Sequence, residues 1–392
     1  MENVIIPFLT SLLLTPLVVM NAETISSAPV LEIDFKAPAT PVSPLLNGLM
    51  TEEVNHSYDG GLYAELVRNR VFRDVKENKP DFWSAILQPG AEGAIRVVTT
   101  HPLTDKLPNS LEVDIQAASA EQRFGVKNDG YWGIPVKPNT TYRASFYVKG
   151  DVSRKNPKTG EMDGITFTGP LRVSLESADG SKVYARAQTP TVSKTWQKFE
   201  VTLTAGTDAN PSSDNRFVIS SQDKGKFWLS LVSLFPPTYH DRPNGLRVDI
   251  MEKLAAMKPK FIRFPGGNYL EGDNLWERFD WKTTLGPLPF RAGHPGCWGY
   301  RSTDGMGLLE FMNWCEDLGA QPVLAVFAGY SMRQQPVEPG LLLEPYVREA
   351  LGRSRISDRR RQDYLLGRAT RQGRSPRTVP TQLRGNRQRG LF

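Results

Sequence analysis

Residues 78–238 constrain the fold most. They hold short β-branched and aromatic runs parted by Gly, Asn, Asp and Pro, with no helical segment between them. "SLEVDIQA", "TYRASFYVKG", "LRVSLESADGSKVYARA", "WQKFEVTLTA", "NRFVISS" and "KFWLSLVSLF" follow one another as antiparallel strands would. This pattern predicts a self-contained all-β unit, a sandwich of jelly-roll type.

The flanking texture is different. Before the sandwich, "VLEIDFKAPATPVSPLLNGLM" alternates apolar and polar residues and reads as strand. "GGLYAELVRNRVF" then spaces Leu62, Leu66, Val67 and Phe72 as a helix would. After residue 240, "RVDIMEKLAAMKP" reads as a helix stopped by Pro259, and "KFIRFPGG" as a buried strand. "DGMGLLEFMNWCEDLG" reads as a helix capped near Asp304 and stopped at Gly319, "AQPVLAVFAGY" as another buried strand, and "LEPYVREALG" as the start of a further helix. Continuous apolar strands joined by helices form a parallel sheet covered on its outer face. The expectation is therefore an α/β domain, with its first strand and helix in 30–77 and two more strands with their helices in 241–352, interrupted by the sandwich.

The chain has 392 residues, enough for two such units, and a net charge of +6. The excess sits in residues 353–392, which hold 12 Arg, no Lys and 2 Asp; the rest carries 36 Lys plus Arg against 40 acidic residues and is mildly acidic. The high pI thus says nothing about what the body binds. Residues 1–22, "MENVIIPFLTSLLLTPLVVMNA", form a short, Pro-broken apolar run ending in small residues, which is expected to be a signal peptide for secretion or periplasmic export. No later segment approaches a membrane span.

Cys297 and Cys315 are the only cysteines; either one bridge or two free thiols would fit. The four His are scattered and no Gly-rich phosphate loop follows a strand, so neither a metal nor another cofactor is expected.

Two stretches could carry chemistry. In "FIRFPGGNYLEG" a strand runs into Pro265, Gly266, Gly267 and Asn268. Were the sheet part of a barrel, these residues would lie at its active mouth, where glycines admit a ligand and Asn268 offers a donor and an acceptor. An ordinary turn with an Asn side-chain hydrogen bond fits equally well. In "NGLMTEEVNHSYDGG", Glu52 and Glu53 follow a strand, and one carboxylate of such a pair is usually solvated.

Together, "GLMTEEVNHSYDGGLYAELVRNRVF", "FIRFPGGNYLEGDNLWERFDWKTTLGP" and "PGCWGYRSTDGMGLLEFMNWCEDLGAQPVLAVFAGY" resemble the α-L-arabinofuranosidases of glycoside hydrolase family 51, in the form with a carbohydrate-binding-module-like sandwich inserted after the first barrel strand and helix. The resemblance runs from about residue 31 to 351. It implies a (β/α)8 barrel that removes arabinofuranosyl groups from arabinan or arabinoxylan with retention of configuration. It also implies sugar contacts for Glu52, Arg263, Gly267, Asn268 and Trp298, whereas Glu53 would be solvated or stand behind the site.

A retaining glycosidase uses two carboxyl groups roughly 5 to 5.5 Å apart. In the family these are glutamates after the fourth strand and near the end of the seventh, and no counterpart of either stretch occurs in this sequence. The expectation is accordingly an incomplete barrel of about three strands, near Leu46, Phe261 and Val323, without catalytic glutamates and inactive as it stands. The Arg-rich residues 353–392 are expected to be the product of a shifted reading frame.

Two rival readings remain. The sandwich could act alone in binding polysaccharide, with Tyr131 and Trp132 of "NDGYWG" as a sugar platform and Trp196 and Trp228 as core. The basic tail could bind nucleic acid, although it has few aromatics for base stacking. The favoured partner is an arabinose-containing polysaccharide or oligosaccharide, with no nucleic acid and no membrane, and the oligomeric state is left open.

Overall fold

The computed structural model describes residues 31–352, apart from positions 32, 33, 35, 37, 39, 87, 156, 157, 159, 161 and 210. The expected leader and the Arg-rich stretch lie outside the described residues. Two kinds of sheet dominate, one small and parallel, the others antiparallel.

The parallel sheet has three strands: β1 (Gly48–Met50), with β12 (Phe261–Phe264) at its centre and β13 (Gln321–Leu324) beyond. The intervening numbers belong to ten sandwich strands: β2 (Trp83–Ile86), β3 (Glu92–Val98), β4 (Ser110–Ala117), β5 (Phe124–Asn128), β6 (Thr141–Gly150), β7 (Pro170–Ser177), β8 (Val183–Thr191), β9 (Gln197–Thr204), β10 (Asn215–Ser221) and β11 (Gly225–Phe235). They form two five-stranded sheets, in the orders β8-β7-β10-β5-β2 and β9-β6-β11-β4-β3. All neighbouring pairs are antiparallel.

Alternation explains the sandwich. In β6, Tyr142, Ala144, Phe146 and Val148 point inward while the residues between them stay at least partly exposed. They share one core with Leu111, Val113 and Ile115 from β4, Leu171, Val173 and Leu175 from β7, and Phe217 and Ile219 from β10.

The strand expectations hold closely from β4 onward, but the helix expected at 60–72 does not form. The backbone there pairs at long range instead. Ala64 N–H donates to Gly245 O at 3.2 Å, Leu66 N–H to Leu234 O at 3.0 Å, and Arg70 O accepts from Val232 N–H at 2.9 Å. The apolar residues that mimicked a helix face are divided between two cores, Leu62 in the α/β part and Val67 and Phe72 in the sandwich. Tertiary pairing has overridden a local pattern. Of the early strand-like stretch, only Gly48–Met50 is strand among the described residues.

The other α/β elements form as expected. Helix α1 (Val248–Ala256) precedes β12, and α2 (Leu308–Leu318) precedes β13. Helix α2 starts four residues later than Asp304. Its capping group is the Glu310 carboxylate, which accepts from Gly307 N–H at 3.0 Å, while Thr284 Oγ1 accepts from Leu308 N–H at 3.0 Å. Gly319 ends it in the left-handed conformation, φ 63°. Phe311 of α2 stacks on Phe264 of β12 with ring centroids 4.6 Å apart, which fixes the helix on one face of the sheet.

Phe146 is fully buried at the centre of the sandwich core. Phe146→Ala is expected to cost about 3 to 5 kcal/mol, read as a lower denaturant midpoint of the full chain. An unchanged midpoint would show that the two sheets do not share this core.

Candidate active site

The carboxyl end of the parallel sheet brings together residues more than two hundred positions apart. Thr51 N–H donates to the Arg263 carbonyl at 3.0 Å, which carries Glu52 past the end of β1 to the loop that follows β12. There Glu52 Oε1 accepts from the backbone N–H of Tyr269 at 2.8 Å. Gly266 makes this possible: its φ is +107°, and a Cβ on it would stand 2.6 Å from the Glu52 side chain.

Gly267 faces open space, and Asn268 opens a single helical turn, Asn268–Glu271. The Asn268 side chain makes no hydrogen bond among the described residues, so the turn-stabilising role open to it is not used. Arg263 is half-buried on β12, opposite Met50 of β1 and Val323 of β13, with no ion pair among the described residues. Trp298 lies 36% exposed on a loop next to Cys297. Burial pushes the Cys297 thiol up to about 11, and the charges of Glu52, Asp273 and Glu271 add to it, so this loop borders the same mouth. Both cysteines are free.

Behind Glu52 lies a buried layer, and of the two places expected for Glu53 the structure gives the one behind the site. Glu53 is not solvated: it is 1% exposed, and its Oε2 accepts from Tyr58 N–H at 2.6 Å. Its Oε1 has no partner of hydrogen-bond geometry. Burial, with the nearby Asp59 charge, raises its pKa to about 8, while hydrogen bonding from Tyr58 and Ser57 pulls the other way. Asp59 accepts from Thr303 N–H at 2.7 Å and from Thr303 Oγ1 at 2.9 Å, tying the loop after β1 to the loop before α2. The His56 ring stacks on Tyr300 with centroids 3.8 Å apart, and the His56 backbone N–H donates to the Tyr300 hydroxyl at 2.7 Å. The only sequence signal was the density of polar and aromatic residues in "EEVNHSYDGG".

Tyr131 and Trp132 do not stand apart from this mouth. Each meets His56 edge-on at 5.5 Å between centroids, and a Cβ on Gly60 would strike the Tyr131 ring at 2.5 Å. Trp132 remains 64% exposed. Trp228 is 3% exposed, as a core residue should be, whereas Trp196 is half-buried and donates from Nε1 to Pro102 O at 3.0 Å.

Unfolded Glu53 ionises near 4.5, as an exposed glutamate does, whereas the folded group keeps its proton to about pH 8. Unfolding therefore releases a proton between these values, and stability should fall as pH rises through that window, by a few kcal/mol in total. In Glu53→Gln the slope between pH 5 and 8 should flatten in urea titrations. An identical slope in wild type and variant would refute the buried, protonated carboxyl.

Residues 253–363 match a family model described as "Alpha-L-arabinofuranosidase 1 domain". A protein of Aspergillus terreus named "Probable alpha-L-arabinofuranosidase A" is 38% identical over 333 residues, covering 83% of this chain and 48% of that protein. "Alpha-L-arabinofuranosidase 1" of Arabidopsis thaliana is 36% identical over 323 residues, covering 79% of this chain and 44% of that one. The solved structure of an arabinose-bound family 51 α-L-arabinofuranosidase superposes with a TM-score of 0.71 at 37% identity, over 81% of this chain and 49% of that one. The chain is therefore related, over some four-fifths of its length, to the family 51 α-L-arabinofuranosidases, and spans about half the length of the relatives it matches.

Proposed function

We propose that this chain supplies the sugar-holding wall of a retaining α-L-arabinofuranosidase acting on arabinan, arabinoxylan or related oligosaccharides. The observation that carries the reading is the held carboxylate of Glu52. One oxygen is fixed by Tyr269 N–H, and the other has no hydrogen bond among the described residues, beside the unpartnered Asn268 and the open backbone at Gly267. A carboxylate, an amide and a guanidinium with spare hydrogen-bonding capacity around an open glycine suit a ring bearing several hydroxyls. Trp298 offers an apolar face at the edge.

On this reading the three parallel strands are part of a (β/α)8 barrel, and the face opposite α2 is its interior. Along that face Met50 and Val323, level with Arg263, are 62% and 42% exposed. The antiparallel unit is the inserted jelly-roll sandwich. Glu52 binds a sugar hydroxyl rather than attacking the anomeric carbon, because the resemblance assigns acid/base and nucleophile to stretches without a counterpart here. The Arg-rich residues remain proposed as a frameshifted segment, and residues 1–22 as a leader for secretion. The matched family range does extend eleven positions past Gly352, to residue 363. Trp132 would serve the edge of this same mouth, since it packs on His56, and not an independent binding face.

Titration of the full chain with arabino-oligosaccharide, followed by tryptophan fluorescence, is expected to show binding that Glu52→Gln weakens about tenfold or more, roughly 1.4 kcal/mol. Equal affinity in the variant would remove Glu52 from the site. The 392-residue chain is also expected to release no p-nitrophenol from p-nitrophenyl α-L-arabinofuranoside. Turnover would mean that a working carboxyl pair lies within it.

A further inference from the structure

A concavity of about 400 Å³, walled in part by Tyr300 and His56, opens between the segment entering the sandwich and the loop that carries Trp298. Its size falls within the range of small-ligand clefts. Three arginines reach it: Arg68, Arg73 and Arg301. All three are half-buried, and none forms an ion pair or a side-chain hydrogen bond among the described residues. By contrast, the buried Arg70 and Arg291 nearby are each matched to a glutamate, at 3.2 Å and 3.0 Å.

The lining acids offset the three cations only in part: Asp74 and Asp81 favour the charged form of Arg68, and Asp74 that of Arg301, without forming an ion pair with either among the described residues. Asp81 is exposed, and burial raises the pKa of Asp74, though the arginines pull it down. Burial, followed by the neighbouring Arg73 charge, lowers the pKa of Arg301, while Asp74 and Asp304 pull it back up. Flat surfaces complete the site. The Arg68 guanidinium lies 3.7 Å over the Phe82 ring and 5.5 Å over Tyr131. Unpaired guanidiniums match a carboxylate bidentately, and aromatic rims match a sugar ring.

We propose that this concavity binds an acidic sugar, a uronic-acid residue carried on the same polysaccharide, so that the chain favours acidic over neutral arabinose-bearing glycans. The inference rests on the sugar-holding role proposed for Glu52. Tyr300 and His56, which wall the concavity, lie on the same two loops as Trp298 and Glu52, so one branched oligosaccharide could reach both sites.

Isothermal titration of the full chain compares a neutral arabinoxylo-oligosaccharide with one of equal length bearing a glucuronic acid branch, in low and high salt. The acidic probe is expected to bind at least tenfold more tightly, with the preference shrinking as salt rises. Arg73→Ala should abolish the preference, Arg73→Lys should restore part of it, and neither should alter binding of the neutral probe or the melting temperature. If both probes bind equally, or if Arg73→Ala keeps the preference, the inference falls while the reading of Glu52 stands. If neither probe binds, both fall. Full competition by inorganic phosphate at equal concentration would mark a general anion site and overturn the sugar-acid assignment.

Discussion

The buried pair of Glu65 and Arg70 is the joint on which the architecture turns. Both side chains are 1% exposed and 3.2 Å apart, in the segment that leaves the parallel sheet and enters the sandwich. Two charges in so dry a place need every remaining hydrogen bond met. Most are: Glu65 accepts from Leu234 N–H at 2.8 Å, from Val67 N–H at 3.0 Å and from the Ser233 hydroxyl, and Arg70 donates to the Tyr63 hydroxyl at 3.1 Å, although its Nε has no partner among the described residues. Ser233 and Leu234 belong to β11, the strand by which the chain leaves the sandwich. Entry and exit are thus clamped at one point, and removing either ion would leave the other uncompensated at a cost of about 3 to 5 kcal/mol.

The clamp has a structural consequence at β11. Its ladder with β6 is interrupted between Ser230 and Ser233, where Leu231 takes a positive φ of 45°. That break frees Val232 N–H for the Arg70 carbonyl and turns Ser233 and Leu234 toward Glu65. The last residue of β11 then reaches the α/β core, where Phe235 packs against the Tyr63 ring at 5.5 Å, while Val232 and Leu234 stay in the sandwich core. A bulge that looks like a defect in the sandwich is what lets one strand serve two cores.

This arrangement also explains what could be read in the sequence. The sandwich strands were legible because each satisfies its hydrogen bonds inside the insert and alternates against one core, so a period of two survives intact, as in Tyr142 to Val148. Glu52 and Gly266 were legible as parts of motifs, although their contact was not. Residues 60–72 misled because their apolar positions serve two different cores, which gives a spacing like that of a helix without any helix. For Glu53 the sequence left two places open, solvent and behind the site, for another reason. Burial of a carboxylate is decided by what lies above it, here Tyr58 and the loop held by the Asp59 bonds to Thr303, and adjacent glutamates carry no trace of that.

The same loop shows why the sandwich bears on the mouth at all. His56 is stacked on Tyr300 and met edge-on by Tyr131 and Trp132, so a residue of the α/β part is held between the loop before α2 and a sandwich turn. Burial lowers its pKa, with the Arg68 charge adding, which favours a neutral ring suited to packing. Gly60 and Gly130 are needed on either side, since a Cβ on the first would strike Tyr131 and one on the second would come within 2.7 Å of the Gly133 carbonyl. The insert is therefore more than a passenger between two strands. Its turn braces the loop that carries Glu52 and Glu53, and the three unpaired arginines gather where that brace leaves a gap.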